Sequence, residues 1–280
     1  MRPICLIAKT VWIEAIRRKE IYVIVLVVAG ILLATGSMRF FGFTGMTKFY
    51  REISLQMMNL ATALTVILLA SRQLPREFER RTIYPLLAKP VSRLEFLAGK
   101  FIGVLGAGLL CYAIFILLFL TGMAWLDAPL SWGLFLQSVY LQVLALSVVA
   151  SLSFMLSLLF NVDAAITVST LVFVLGGTVS ATIDFIHESV AAFIPLGGGL
   201  SVGEIFMKAM NYGVPQLTLF DLSAKVVHAT DWAIKNGEQV VVIRWTPVES
   251  WVLGALTLYA SFFVLAYLLI SHLLFSRRAL

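Results

Sequence analysis

The residues able to do chemistry are few, and their spacing assembles no catalytic set. His187, His228 and His272 are the only histidines. Apolar segments place His272 on the opposite side of a membrane from the other two, so they form no metal-ligand set. Cys5 lies near the N-terminus and Cys111 inside an apolar segment, which implies neither a disulfide framework nor a metal knot. Gly99-Lys100 resembles the end of a phosphate loop, but Phe101 follows and position 94 is not glycine. Gly197-Gly198-Gly199 with Gly203 misses the dinucleotide spacing and follows no strand of a βαβ unit. No nucleophile–base pair stands out. The chain reads as one without catalytic residues, metal site or cofactor.

Charge is the remaining chemistry, and it is concentrated in Pro75 to Lys100, PREFERRTIYPLLAKPVSRLEFLAGK. Arg76, Glu77, Glu79, Arg80, Arg81, Lys89, Arg93, Glu95 and Lys100 fall here, between long apolar segments. A central Arg or Lys in hydrocarbon costs roughly 2.5–3.5 kcal/mol even on a lenient scale, so the run is a loop between two spans. Its Arg and Lys excess places it on the cytoplasmic side. Pro75 suits a first helical turn, and Arg76 to Tyr84 has good helix formers before Pro85. Leu74, Phe78, Arg81, Tyr84 and Leu87 lie three or four apart, giving a short helix an apolar-aromatic ridge. A second helix starts after Ser92. The loop is either a solvated connector or a helix that docks its ridge on another protein.

The elements that position this loop are membrane helices. Of 280 residues, 60% are hydrophobic, and mean hydropathy is +0.96, more apolar surface than a soluble domain can hide. The net charge of +6 sorts by membrane side, so a nucleic-acid partner is excluded. Met1-Arg2-Pro3 leads into a segment interrupted by Lys9, Glu14, Arg17, Arg18 and Lys19, unlike a cleavable signal peptide.

Residues 3–20 form an interfacial helix in this reading. Ile4, Ile7, Ala8, Val11, Trp12, Ala15 and Ile16 lie on one side, with Lys9, Thr10, Glu14 and Arg17 largely opposite. Leu6 and Ile13 interrupt the polar face, while Trp12 and the Arg17-Arg18-Lys19 cluster suit a cytoplasmic headgroup layer. Spans are expected at 21–38, 53–73, 101–125, 135–160, 164–183 and 251–275, each near or above the ~17–20 residues needed to cross. Gly99, Gly103 and Gly106 form a small-residue face for close approach of another helix. The spans almost lack ionisable groups, unlike ion-coupled carriers. Gln56, Asn59, Gln137 and Gln142 are their notable polar residues, and helix-to-helix hydrogen bonds can satisfy them.

An even number of spans puts both termini on one side. Inside then lie Arg2, Lys9, Arg17, Arg18, Lys19, the seven basic residues from Arg72 to Lys100, and Arg277-Arg278. Outside lie Arg39, Lys48, Arg51, Lys208, Lys225, Lys235 and Arg244, a set half as large. An outer insertion covers 184–250. Pro195 to Gly199 breaks structure, and Ser201 to Glu204 has capping-box spacing. A second helix is expected from Thr218, with Leu219, Leu222, Val226, Ala229 and Ala233 on one face and Asn236-Gly237 ending it. Gln239 to Trp245 is β-prone but short. The insertion reads as helices on the outer surface, either a structural cap or a roof over a central cavity.

Within the charged loop Glu79, Thr82, Leu86-Leu87, Pro90-Val91-Ser92-Arg93 and Gly99-Lys100 stand in order. This pattern resembles the first intracellular loop of ABC transporter type-2 permeases, and the order of spans extends the resemblance over most of the chain. Arg81 departs from it, standing where that family has a small residue, often Gly. The long insertion before the last span resembles permeases associated with multicopper-enzyme maturation. The resemblance implies an exporter permease with a separate ABC ATPase docked on Phe78, Glu79, Arg80, Arg81, Thr82, Tyr84 and Leu87. It also implies a second permease chain, as homodimer or heterodimer.

The fold class expected is all-α: a polytopic membrane protein with six transmembrane helices, an N-terminal interfacial helix and an outer helical insertion before the last span. Residues 1–280 form a single permease domain, with 3–20 interfacial, 75–100 the cytosolic coupling loop and 184–250 extracytoplasmic. Its expected place is the inner (plasma) membrane of a prokaryote, against membrane lipid, with both termini cytoplasmic. The rival class is a membrane scaffold or assembly factor that transports nothing. A neighbouring ATPase gene favours the first reading.

Overall fold

The computed structural model of the chain describes residues 2–37, 46–79, 92–176, 215–235, 238–243 and 245–277. Helices dominate them. α1 spans Arg2–Ile16 and α2 Lys19–Ser37, followed by α3 at Met46–Glu79 and α4 at Arg93–Trp125. α5 spans Trp132–Leu159 and α6 Val162–Gly176. A 3-10 turn at Leu217–Phe220 and a short α7 at Ser223–His228 precede strands β1 (Thr230–Lys235) and β2 (Glu238–Ile243), and α8 covers Ser250–Arg277. Five helices, α2, α3, α4, α5 and α8, are long and apolar enough to cross a membrane, and α6 is a shorter apolar helix. The fold is that of a helical polytopic membrane protein. The remainder of the expected fifth span, 177–183, lies outside the described residues.

Two helices outrun the bilayer. α3 has 34 residues and α4 has 33, about 50 Å each at the helical rise, against a hydrocarbon core of about 30 Å. The sequence places a separate helix after Pro75, but α3 runs unbroken through that proline to Glu79. Proline removes one backbone bond and crowds the preceding turn. Here the turn before it is held by packing, since Leu74 is fully buried beside Leu69 and Ala70. Leu74 is thus core and not part of an exposed ridge. α3 also begins earlier than expected. Arg51, placed by sequence in an outer loop, is a buried helical residue donating to the Pro129 carbonyl at 3.3 Å.

Helix ends follow local rules where side chains can supply them. Ser92 caps α4, its hydroxyl accepting from the Glu95 N–H at 3.2 Å while the Glu95 carboxylate accepts from the Ser92 N–H at 2.9 Å. At the other end Asp127 adopts φ 47°. Ala128 N–H then reaches back to the Met123 carbonyl at 3.1 Å, a Schellman closure with aspartate where glycine is usual.

α5 is the central helix. Of its most apolar stretch 78% is buried, against 17% for α2 and for α8. One cluster, near the 79–92 connection, joins Val11 of α1, Leu74 of α3, Phe96 and Phe101 of α4, Phe154 of α5 and Phe275 of α8. A second, at the opposite end, joins Leu32, Tyr50, Phe119, Phe135 and Val226. The third packs Leu217, Phe220 and Leu222 against α5 and against Tyr259, Phe263 and Tyr267 of α8.

Residues 184–214 of the insertion, with the Ser201–Glu204 capping spacing, lie outside the described residues. From 215 to 243 the chain differs from the helical reading: among the described residues there the α-helix is Ser223–His228, and Ala233 lies in β1. β1 and β2 pair antiparallel with Lys235 opposite Glu238, and the two residues between them are Asn236-Gly237, a strong hairpin signal. β-branched Val240, Val241, Val242 and Ile243 favour the strand over a helix continued on apolar spacing alone.

Candidate functional site

Ion pairs and amides converge where α3 and α4 leave the bundle toward the 79–92 connection. The i,i+4 spacing of the helices builds this cluster. Gln73 and Glu77 share one face of α3, Arg72 and Arg76 another, and Glu14 and Arg18 stand one turn apart at the end of α1. Lys100, one residue before the expected third span, lies inside α4 with only 4% of its surface exposed. Its ammonium donates to Gln73 Oε1 at 3.1 Å and to Glu77 Oε1 at 2.8 Å, and lies 5.7 Å from the centre of the Phe96 ring.

Gln73 is the junction. Its oxygen faces the Lys100 cation, so its amide nitrogen is directed away and donates to Glu14 Oε2 at 3.3 Å. Glu14 also accepts from Arg18 at 2.5 Å and from Arg76 at 3.2 Å. Burial raises the Glu14 carboxyl, but the Arg18 guanidinium, the Gln73 amide and the Lys100 charge outweigh it and hold the group below the ordinary carboxylate range. Arg72 pairs with Glu20 of α2. Arg93 donates to the Ser276 carbonyl at 2.9 Å and lies over the Phe275 ring. The start of α2 and the end of α8 therefore sit at the same end of the bundle as this cluster.

α1 is seated by shape as well as charge. A Cβ added at Gly99 would fall 3.0 Å from Ile7 Cβ. One at Gly103 would fall 2.8 Å from Val11 Cβ, and one at Gly106 would fall 2.5 Å from Trp12 Nε1. The three glycines therefore form the groove that receives α1 of the same chain. Ile7, Val11 and Ala15 are buried there, whereas Leu6, Ile13 and Ile16 face outward.

Of the residues singled out for docking, Phe78 and Glu79 fall in the last turn of α3. Arg80, Arg81, Thr82, Tyr84 and Leu87 lie outside the described residues. Sequence reasoning did not single out Glu14, Gln73, Glu77 and Lys100 as a group. Their signal was the i,i+4 pairing of polar residues at the ends of apolar segments.

The amides of the spans have separate uses. Gln137 donates to the Val248 carbonyl and accepts from the Val248 N–H, both at 2.8 Å, fixing the entry to α8. Asn59 donates to the Ser223 hydroxyl at 3.2 Å, and Gln142 to the Asn59 carbonyl at 3.4 Å. Among the described residues no cluster of three or more His, Cys, Asp or Glu could hold a metal.

No curated protein matches the chain significantly. A family model described as ABC-2 family transporter protein matches residues 6–280, nearly the whole chain. Permeases of that family are non-catalytic membrane subunits that work with an ATPase subunit. With its apolar helices and the match along almost its full length, the chain belongs to the ABC-2 transporter family, as a membrane permease subunit of an ABC transporter.

Proposed function

We propose that this permease is an exporter subunit driven by a separate ATPase chain that docks on Phe78, Glu79, Arg80, Arg81, Thr82, Tyr84 and Leu87. The end of the bundle bearing Arg72, Arg76, Arg93, Lys100 and Arg277 faces the cytosol, in keeping with the bias of basic residues. Two permease chains enclose the pathway. The observation that carries the reading is the Gln73 junction. It fastens α1, the end of α3 and the start of α4 to one another at both roots of the docking segment. A push on that segment moves three helices together, and the change in tilt is passed to the apolar bundle.

The test is a dissociation of partner binding from folding. Phe78→Ala with Tyr84→Ala removes the aromatic anchors, and each such anchor in a well-packed interface commonly contributes ~2 kcal/mol or more, roughly thirtyfold in affinity. Co-purification of the ATPase chain from mild detergent and the recovered ATPase activity should both be lost, with expression and thermal stability nearly intact. Full partner recovery by the double variant would reduce the segment to a connector.

A further inference from the structure

At the end of the bundle away from the Gln73 junction, a cavity of about 620 Å³ lies between α3, α5, α6 and the 217–223 segment. Gln56 and Asn59 of α3, Gln142 of α5 and Ser223 carry amides and a hydroxyl to its wall, Asp221 adds a carboxylate, and Phe173 contributes to an otherwise apolar lining. Gln142 and Ser223 are more than nine-tenths buried. The roof is fixed: the Gln216 N–H donates to the Tyr259 hydroxyl at 3.1 Å, and Leu217, Phe220 and Leu222 are buried under it. A preformed space of this size suits a drug-sized molecule.

The charged group at the wall is an acceptor. Asn59 spends its Nδ2 on Ser223, and its Oδ1 is closed off from the cavity. Asp221 accepts the Ser223 N–H at 2.8 Å through Oδ1, and its side chain is otherwise exposed at the cavity. None of the described lining residues is Lys, Arg or His. Gln56 is exposed on a helix that crosses the membrane, where an amide facing lipid would leave its polar atoms unsatisfied. A carboxylate with no cation among the described lining residues, an exposed amide and apolar walls select one ligand class.

We infer that this cavity binds an amphipathic organic ammonium, its N–H donors on Asp221 and its apolar body against Phe173. As the cargo site of the transporter, this rests on the exporter reading; as a binding site it does not. The probe is dansylcadaverine, a primary ammonium on an apolar fluorescent body, titrated against the full chain in phosphatidylcholine nanodiscs, with empty discs as the blank. Two probes share its body: the neutral N-acetyl derivative and the anionic dansyl-aminohexanoate.

Saturable binding is expected, with the ammonium at least tenfold tighter than the neutral probe and the anion weakest. Asp221→Asn keeps the bond from Ser223 and should erase the preference for the ammonium. Thr218→Trp, at an exposed position on the cavity lining, should occlude the space and weaken all three probes. No saturable binding, or an ammonium affinity unmoved by both substitutions in chains with unchanged thermal midpoints, overturns the assignment. No ATPase is present in the titration, so it succeeds or fails independently of the Phe78 and Tyr84 experiment.

Discussion

Lys100 is a cation held within the protein at the base of a membrane helix, and its neighbours determine the effect of removing it. Lys100→Met removes the α4 cation from Glu77 and from Gln73 Oε1. Breaking a fully buried pair costs about 3–5 kcal/mol, but the Glu77 side chain keeps 22% of its surface exposed, so we expect a loss of roughly 1–3 kcal/mol. The double replacement Lys100→Met with Glu77→Leu should recover much of it, because an apolar pair leaves no orphaned charge. Thermal midpoints of the four proteins in detergent measure this cycle, and additive losses would mean that the two groups do not interact. Glu14 gives a pH-dependent counterpart. Its carboxyl is depressed in the folded chain, so its contribution is complete above the unfolded value and is lost as pH falls through the folded one, below the ordinary carboxylate range. A spin label on Cys5, in a Cys111→Ser background, should report a fixed α1 at pH 6 and a loosened one as pH falls below about 4. Glu14→Gln should show no such transition; an unchanged one would assign the effect to another group. The cluster was only half legible in sequence. Each residue stands at a span end where charge is expected, but which charges meet depends on the rotation of three helices, and that is set by packing.

At the scale of elements, local signals worked where a side chain completes its own helix end. Ser92 and Glu95 fixed the start of α4 because both halves of the capping box lie within four residues. Pro75 misled because its local penalty was offset by long-range burial of the turn before it. The 218–243 segment misled because its apolar spacing fits a helix while its β-branched run and Asn-Gly pair fit a hairpin. The glycine face of α4 was legible as a face, and only the fold showed that α1 fills it. Gly103→Leu must push Val11 and the Ala8 backbone away, so α1 should lift or α4 shift, at a cost of roughly 1–3 kcal/mol. Gly30 is the control, since a Cβ there meets nothing within 4 Å. Gly30→Leu should leave the thermal midpoint unchanged or slightly raised, as replacing a helix-interior glycine adds propensity. Equal midpoints for the two leucine variants would show that α1 is not held by this groove.

For the whole molecule, the order of apolar segments was readable because each must satisfy its own backbone within the bilayer, and five of the six expected spans are helices long enough to cross. The expected sidedness rests on an imbalance of charge alone. Contacts between distant chain segments bring the ends together: Glu20 meets Arg72, and Arg93 meets the end of α8. At the other end α7 packs with Tyr50 and Phe119. One labelling experiment can therefore fix every element at once. In a chain with Cys5 and Cys111 replaced, a Cys at Lys235, in β1, should react with a membrane-impermeant thiol reagent added to whole cells. A Cys at Arg81 should react only after the membrane is opened. Both sites lie outside the apolar stretches, so a difference between them reports the side of the membrane and not burial in lipid. The reverse pattern would invert the bundle, putting the Gln73 junction outside and the roofed cavity on the cytosolic side, and no cytosolic ATPase could then reach the segment between α3 and α4. Reaction of both in intact cells would mean an even number of crossings between Arg81 and Lys235, against the three expected from α4, α5 and a fifth span that begins with the shorter α6. Reaction at Lys235 alone is the outcome that three crossings and a cytosolic Arg81 together demand.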